Sequence, residues 1–155
     1  MHKVLTLVAV GLLATGVTGC ASLGMGEKQQ KVVYHVNYDD TKTLNAALGN
    51  IKNHINAVCK KGDTTPCKDK LDLRVVMHGK GLGLLAQANT DLDMQQKVIG
   101  LKNQGVAFAV CKNTLVGKKI NYKNDLFDVS EKDIVPSGVA ELAILQNKGF
   151  AYVKP

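Results

Sequence analysis

The sequence predicts one α/β domain built on a mainly parallel five-stranded sheet with helices on both of its faces. Val106–Val110 is an unbroken apolar run too short for a helix, the pattern of a strand buried on both sides, and Leu71–Met77 reads as another strand. Leu44, Leu48, Ile51, Ile55 and Val58 recur at steps of four and three, the period of an amphipathic helix. The two kinds of segment alternate along the chain, which implies right-handed crossovers between parallel strands.

The N-terminus stands outside this pattern. His2 and Lys3 form a short basic region, and Val4–Val17 is apolar but too short to span a bilayer, so it reads as an export leader. It ends in Val17-Thr18-Gly19-Cys20, which resembles the lipobox of bacterial lipoproteins. That resemblance implies cleavage before Cys20 and a lipid anchor on its sulfur. Because Ala21 is not aspartate, it also implies sorting to the outer membrane. The expected organisation is a leader over 1–19, a lipidated tether over 20–30 and a domain over 31–155, held in the periplasm. The formal net charge is +7, but the lysines are scattered without a basic run, so nucleic acid is not an expected partner.

Residues 21–30 are polar and glycine-rich without periodicity, as a spacer is. Lys31–Val36 is β-branched and aromatic, a first strand, and the turn after it places Asp39 and Asp40 at a helix start. The helix from Thr43 follows. The second strand, Leu71–Met77, leaves through His78-Gly79-Lys80-Gly81 into a short helix over Leu82–Ala88. Asp91–Gln104 is the next helix, capped by Asp91 or Thr90 and stopped by Gly105. The third strand then delivers Cys111. Leu115–Asp128 is irregular, with short helical turns. Ile134-Val135 is a fourth strand halted by Pro136, Ser137 caps a last helix to about Lys148, and Phe150–Val153 is a fifth strand.

The chain has four cysteines. Cys59 and Cys67 flank a hydrophilic loop with glycine and proline, and in an oxidising compartment they are expected to form a disulfide worth about 2–3 kcal/mol. A redox-active dithiol, the rival reading, prefers the tighter Cys-x-x-Cys spacing. With Cys20 lipidated, Cys111 is left over.

Parallel sheets keep their chemistry beyond the carboxyl ends of the strands, which gathers the Asn37–Asp40 loop, the His78–Gly81 loop and Cys111–Thr114 on one edge. Asn113 or Thr114 can cap a helical turn whose amides point back at the Cys111 sulfur and favour a thiolate. Lys112, Lys118 and Lys119 add charge of the same sign, and the sulfur is expected to be open to solvent. His78, also at a strand exit, is a candidate proton donor or acceptor. Gly79, Asn113 and Thr114 are candidate binding residues, and so are Asn50 and His54 on the first helix. Cys111, His78 and His35 lie on neighbouring strands but lack close metal-ligand spacing, so no metal is expected. Gly79–Gly83 fits neither a phosphate-binding nor a dinucleotide loop, and no cofactor is expected.

Several separated stretches resemble one family, the DsrE/DsrF-like family. They are Cys111-Lys112-Asn113-Thr114-Leu115, Val135-Pro136-Ser137-Gly138-Val139-Ala140-Glu141, Gly149–Pro155, Leu48–His54 and His78–Gly81. The likeness covers nearly all of residues 31–155. It implies a flavodoxin-like three-layer sandwich assembled as trimers or hexamers. In the cytoplasmic sulfur-relay members a cysteine after the third strand carries sulfur as a persulfide, and Cys111 matches that position. Two features depart from those members: the export leader and the Cys59/Cys67 loop. The leading expectation is an envelope lipoprotein that carries or transfers sulfur as a persulfide on Cys111. Its partner would be a sulfur donor or acceptor protein or a small sulfur compound. The alternative is a noncatalytic oligomeric module that binds a ligand or protein, with Cys111 buried.

Overall fold

The structure is a computed structural model that describes residues 28–155; the leader, Cys20 and most of the tether lie outside the described residues. Five strands form one sheet: β1 (Gln30–Val36), β2 (Leu71–Met77), β3 (Ala107–Cys111), β4 (Ile134–Val135) and β5 (Ala151–Val153). Their order is β4-β3-β2-β1-β5, and every neighbouring pair is parallel. The flavodoxin-like α/β expectation holds.

The order of the strands decides where the helices lie. From β1 the chain steps outward through β2 and β3 to β4, then crosses back over three strands to set β5 beside β1. Crossovers of one hand that travel in opposite directions must cover opposite faces. Accordingly α1 (Thr41–Val58), α3 (Gly83–Ala88) and α4 (Leu92–Asn103) pack together on one face, while α7 (Gly138–Asn147) lies on the other against β1, β2, β3 and β5. Strand alternation divides the core to match. Tyr34, Val36, Val75, Met77, Phe108 and Val110 face the larger cluster with Leu44, Leu48 and Ile51. Val33 and Val76 face a small one made with Leu142, Leu145 and Phe150.

Local chemistry fixes the helix ends. The Asp40 carboxylate accepts from the Thr43 N–H at 2.8 Å and caps α1, Asp91 caps α4, and Ser137 caps α7. Gly105 and Gly149, at φ 88° and 86°, end α4 and α7 in the left-handed region that glycine adopts freely. Gly81 serves a different need: a Cβ there would meet the Val36 carbonyl oxygen at 2.0 Å, so only glycine lets the loop after β2 lie on the end of β1.

The expected disulfide is present, with Cys59 and Cys67 Cα atoms 5.4 Å apart. It joins the end of α1 to a short helix, α2 (Cys67–Lys70), that leads into β2. Among the described residues no helix is long and apolar enough to cross a membrane.

Candidate functional site

Cys111 ends β3, and α5 (Lys112–Gly117) starts at the next residue. Neither Asn113 nor Thr114 caps that helix. Cys111 itself occupies the N-cap position, with Asn113 and Thr114 inside the first turn. Leu115, Ile120 and Phe127 carry the chain after β3, through the single turn α6 (Tyr122–Asp125), onto the larger core, whereas α7, which follows β4, lies on the other face. β3 and β4 are thus adjacent strands whose connections part, the place where such sheets open a crevice. The start of α7 returns to that point and sets Gly138 against Cys111 and His78.

Contrary to expectation, the sulfur is not open to solvent: Cys111 is only 4% exposed. A hollow of about 660 Å³ beside Lys112 is lined by Leu115, Val116, Ile120 and Ile134 and does not include it. What surrounds the sulfur is polar. Burial pushes the thiol pKa up, but the Thr114 hydroxyl and the amides of Gly138, Thr114 and Asn113 outweigh it and hold the pKa below the ordinary thiol value. Sulfur is a weak acceptor and makes no full capping hydrogen bond here, so this pull is the electrostatic sum of several donors. Lys112, Lys118 and Lys119 are exposed and do not contribute to it. Thr114 is itself held in place, because its Oγ1 accepts the Gly79 N–H at 2.9 Å.

His78 stands beside Cys111. Met77 pairs with Val110, so the next residue of each strand, His78 and Cys111, are neighbours on one face. His78 Nε2 is 2.7 Å from His35 Nε2, and His35 Nδ1 is 2.7 Å from the Tyr152 hydroxyl. The two imidazoles meet nearly edge to edge, their planes 25° apart and their centroids 4.8 Å apart. Burial lowers both histidine pKa values, His78 and then Lys154 depress His35 further, and Lys154 does the same to His78. The pair is therefore neutral at pH 7, and one proton lies between the two Nε2 atoms.

The structure thus brings together Cys111, His78, Gly79, Asn113 and Thr114. It does not bring Asn50 or His54 to them. Asn50 is exposed on α1. His54 is hydrogen-bonded to the Tyr34 hydroxyl at 2.6 Å and to Gln30 at 3.1 Å, pinning α1 to the beginning of β1 near the opposite edge. Sequence reasoning passed over Tyr152 and Gly138 and weighed His35 only as a metal ligand. Its nitrogens are spent on Tyr152 and His78, and among the described residues no group of three or more His, Cys, Asp or Glu side chains is arranged to hold a metal. Alternation places His35 on the face of Val33, but His35 meets His78 and Tyr152 only because β1 lies between β2 and β5.

Comparison with curated proteins gives no match. Among solved structures the chain is similar to the protein of unknown function MTH1491 from Methanobacterium thermoautotrophicum. The two share 27% sequence identity at a TM-score of 0.66, over 82% of this chain and 100% of that one. A family model matches residues 30–155, nearly the whole of the described structure, and it is that of the DsrE/DsrF-like family. The chain belongs to the DsrE/DsrF-like family.

Proposed function

We propose that this protein carries sulfur as a persulfide on Cys111 and passes it to an acceptor. The observation that carries the reading is the set of donors around a buried sulfur, the Thr114 hydroxyl and three backbone amides, which favours the anion where burial alone would suppress it. The Cys111 thiolate attacks the outer sulfur of a persulfide or polysulfide. A bond forms between Sγ and that sulfur, the donor's S–S bond breaks, and its electron pair leaves on the donor's inner sulfur as a thiolate. The outer sulfur keeps its proton or charge, so the step needs no cofactor and no net oxidant. Burial of Cys111 favours a small sulfur compound as the donor over a bulky protein surface.

The same burial also supports a second reading, a noncatalytic oligomeric module of the envelope. Val139, Ile144, Tyr152 and Val153 leave apolar surface on α7 and β5, which suits contact with further copies in a trimer or hexamer. In either case the domain is tethered to the outer membrane on its periplasmic side through Cys20.

Exposure of the purified domain to inorganic polysulfide, followed by intact mass and peptide mapping, separates the two readings. The carrier gains one sulfur atom on Cys111, released by a thiol reductant; a Cys111 that never retains added sulfur leaves the binding module.

A further inference from the structure

The disulfide gathers charge as well as chain. Cys59 and Cys67 lie 5.4 Å apart at Cα. Lys60 and Lys61, which follow the first, and Lys68, which follows the second, are therefore carried on one small knob at the pole where β2 begins. All three are exposed. We propose that this knob is a docking surface for anionic lipid headgroups, and that it seats the domain on a membrane with the Cys111 pole turned outward. The nearness of a membrane rests on the lipid anchor proposed for Cys20; the charge and form of the knob do not.

Residues 59–70 carry four lysines against two aspartates. The acids offset little of this charge. Asp63 is turned back into the loop, where it accepts from Lys70 Nζ at 2.6 Å and from the Lys60 N–H at 2.8 Å, and Asp69 is exposed. Among the described residues Lys60, Lys61 and Lys68 make no ion pair, so their ammonium groups are left to a partner. A cross-linked loop presents them already arranged, and little further ordering is lost when they meet a surface.

Two observations select lipid among anionic partners. The first is the route of the chain. Gln29 Nε2 donates to the Lys68 carbonyl at 2.8 Å, which ties the segment leading back to Cys20 against the knob itself. Lys28 is eight positions after Cys20, a reach of at most about 28 Å of extended chain. A lipid on Cys20 thus holds the knob within a few screening lengths of the headgroups. With the knob seated, the length of β2 sets the Cys111 pole about 20 Å farther from the surface.

The second observation is a hollow of about 450 Å³ at the foot of the knob, where Asn56, Lys68 and Asn103 stand around the disulfide. The two asparagine side chains are exposed and make no hydrogen bond among the described residues. They offer uncharged donors beside an ammonium, a combination that suits the phosphate and glycerol oxygens of a headgroup. Charge alone does not choose this face, since Lys112, Lys118 and Lys119 are exposed at the Cys111 pole. Those lysines lie a strand length from the point where the chain turns back toward Cys20.

Co-sedimentation of the unlipidated chain from Ala21 onward tests the surface at low ionic strength. The vesicles hold phosphatidylcholine and phosphatidylglycerol in about a two-to-one ratio, with phosphatidylcholine alone as the reference. Binding to the anionic vesicles should be tighter by about tenfold or more and should weaken as salt is added. Each lysine at such a surface is worth about fivefold in affinity, so Lys60→Glu/Lys61→Glu/Lys68→Glu should lose about a hundredfold. Lys118→Glu/Lys119→Glu, at the other pole, should bind as the wild type does. No binding, equal binding to both kinds of vesicle, or an equal loss in the two variants overturns the surface. Binding to soluble polyglutamate but not to the vesicles overturns it in favour of an acidic protein. Intact mass of the protein extracted from membranes tests the anchor by itself: vesicle binding without lipid on Cys20 upholds the knob and removes the tether.

Discussion

Gly138 touches His78 so closely that a Cβ on the glycine would sit 2.8 Å from the histidine Cβ, with the Cys111 Cβ at 3.3 Å. The first turn of α7 can lie over the strand exits only because that side chain is missing. Gly138→Ala should push the turn away, at a cost of about 1–3 kcal/mol in urea unfolding. It should also withdraw the Gly138 amide from the sulfur and raise the Cys111 pKa, read as a shift of the alkylation profile to higher pH. A variant with wild-type stability and an unshifted profile would show that α7 does not hold the sulfur.

Thr114 links Gly79 to Cys111 through one hydroxyl. Thr114→Val keeps the shape but removes the largest of the donors that lower the thiol pKa and leaves the Gly79 N–H without its acceptor. A net hydrogen-bond contribution is about 0.5–1.5 kcal/mol and this donor is a weak one, so alkylation of Cys111 at pH 7 should slow by about two- to tenfold. An unchanged rate would remove Thr114 from the site.

The paired histidines, His35 buried and His78 half-buried, give the fold an acid limb above the carboxylate range. Both have folded pKa values below the ordinary 6.5, so under mildly acid conditions the unfolded chain binds more protons than the folded one. Their stabilising effect is fully present above pH 6.5, declines as pH falls toward the folded values and is gone below them. Thermal unfolding across that window should show a falling Tm in the wild type and a flatter profile in His35→Gln. Identical slopes would mean that the pair does not titrate with unfolding.

Replacing both Cys59 and Cys67 by serine removes a cross-link spanning eight residues of sequence. The loss should be about 2–3 kcal/mol of unfolding free energy. Because the bond lies at the far edge of the sheet, the alkylation profile of Cys111 should not move. A shift there would mean that the two ends of the sheet are coupled.

Much of this architecture could be read from periodicity and punctuation. Leu44, Leu48, Ile51 and Ile55 announced α1, the glycines at 105 and 149 marked where α4 and α7 stop, and the run ending in Cys111 placed that residue at a strand exit. The candidate site was legible only in part. Strand order is a long-range property that local pattern does not encode, so nothing in residues 30–36 shows that His35 faces a residue 43 positions later in sequence and another 117 positions away. Burial of Cys111 was equally hidden, because it depends on α7 crossing back, and that follows from where β5 is inserted.

The cross-link and the lone thiol occupy opposite poles of the sheet, separated by roughly the 20 Å that a seven-residue strand such as β2 spans. Intramolecular thiol–disulfide exchange between them is therefore out of reach, and sulfur chemistry at one pole leaves the staple at the other unscrambled. Among the described residues Cys111 also has no second thiol to resolve a persulfide from within. On the sulfur-carrying proposal, sulfur taken up there would leave by collision with another molecule, as on a courier rather than in a self-contained reaction vessel.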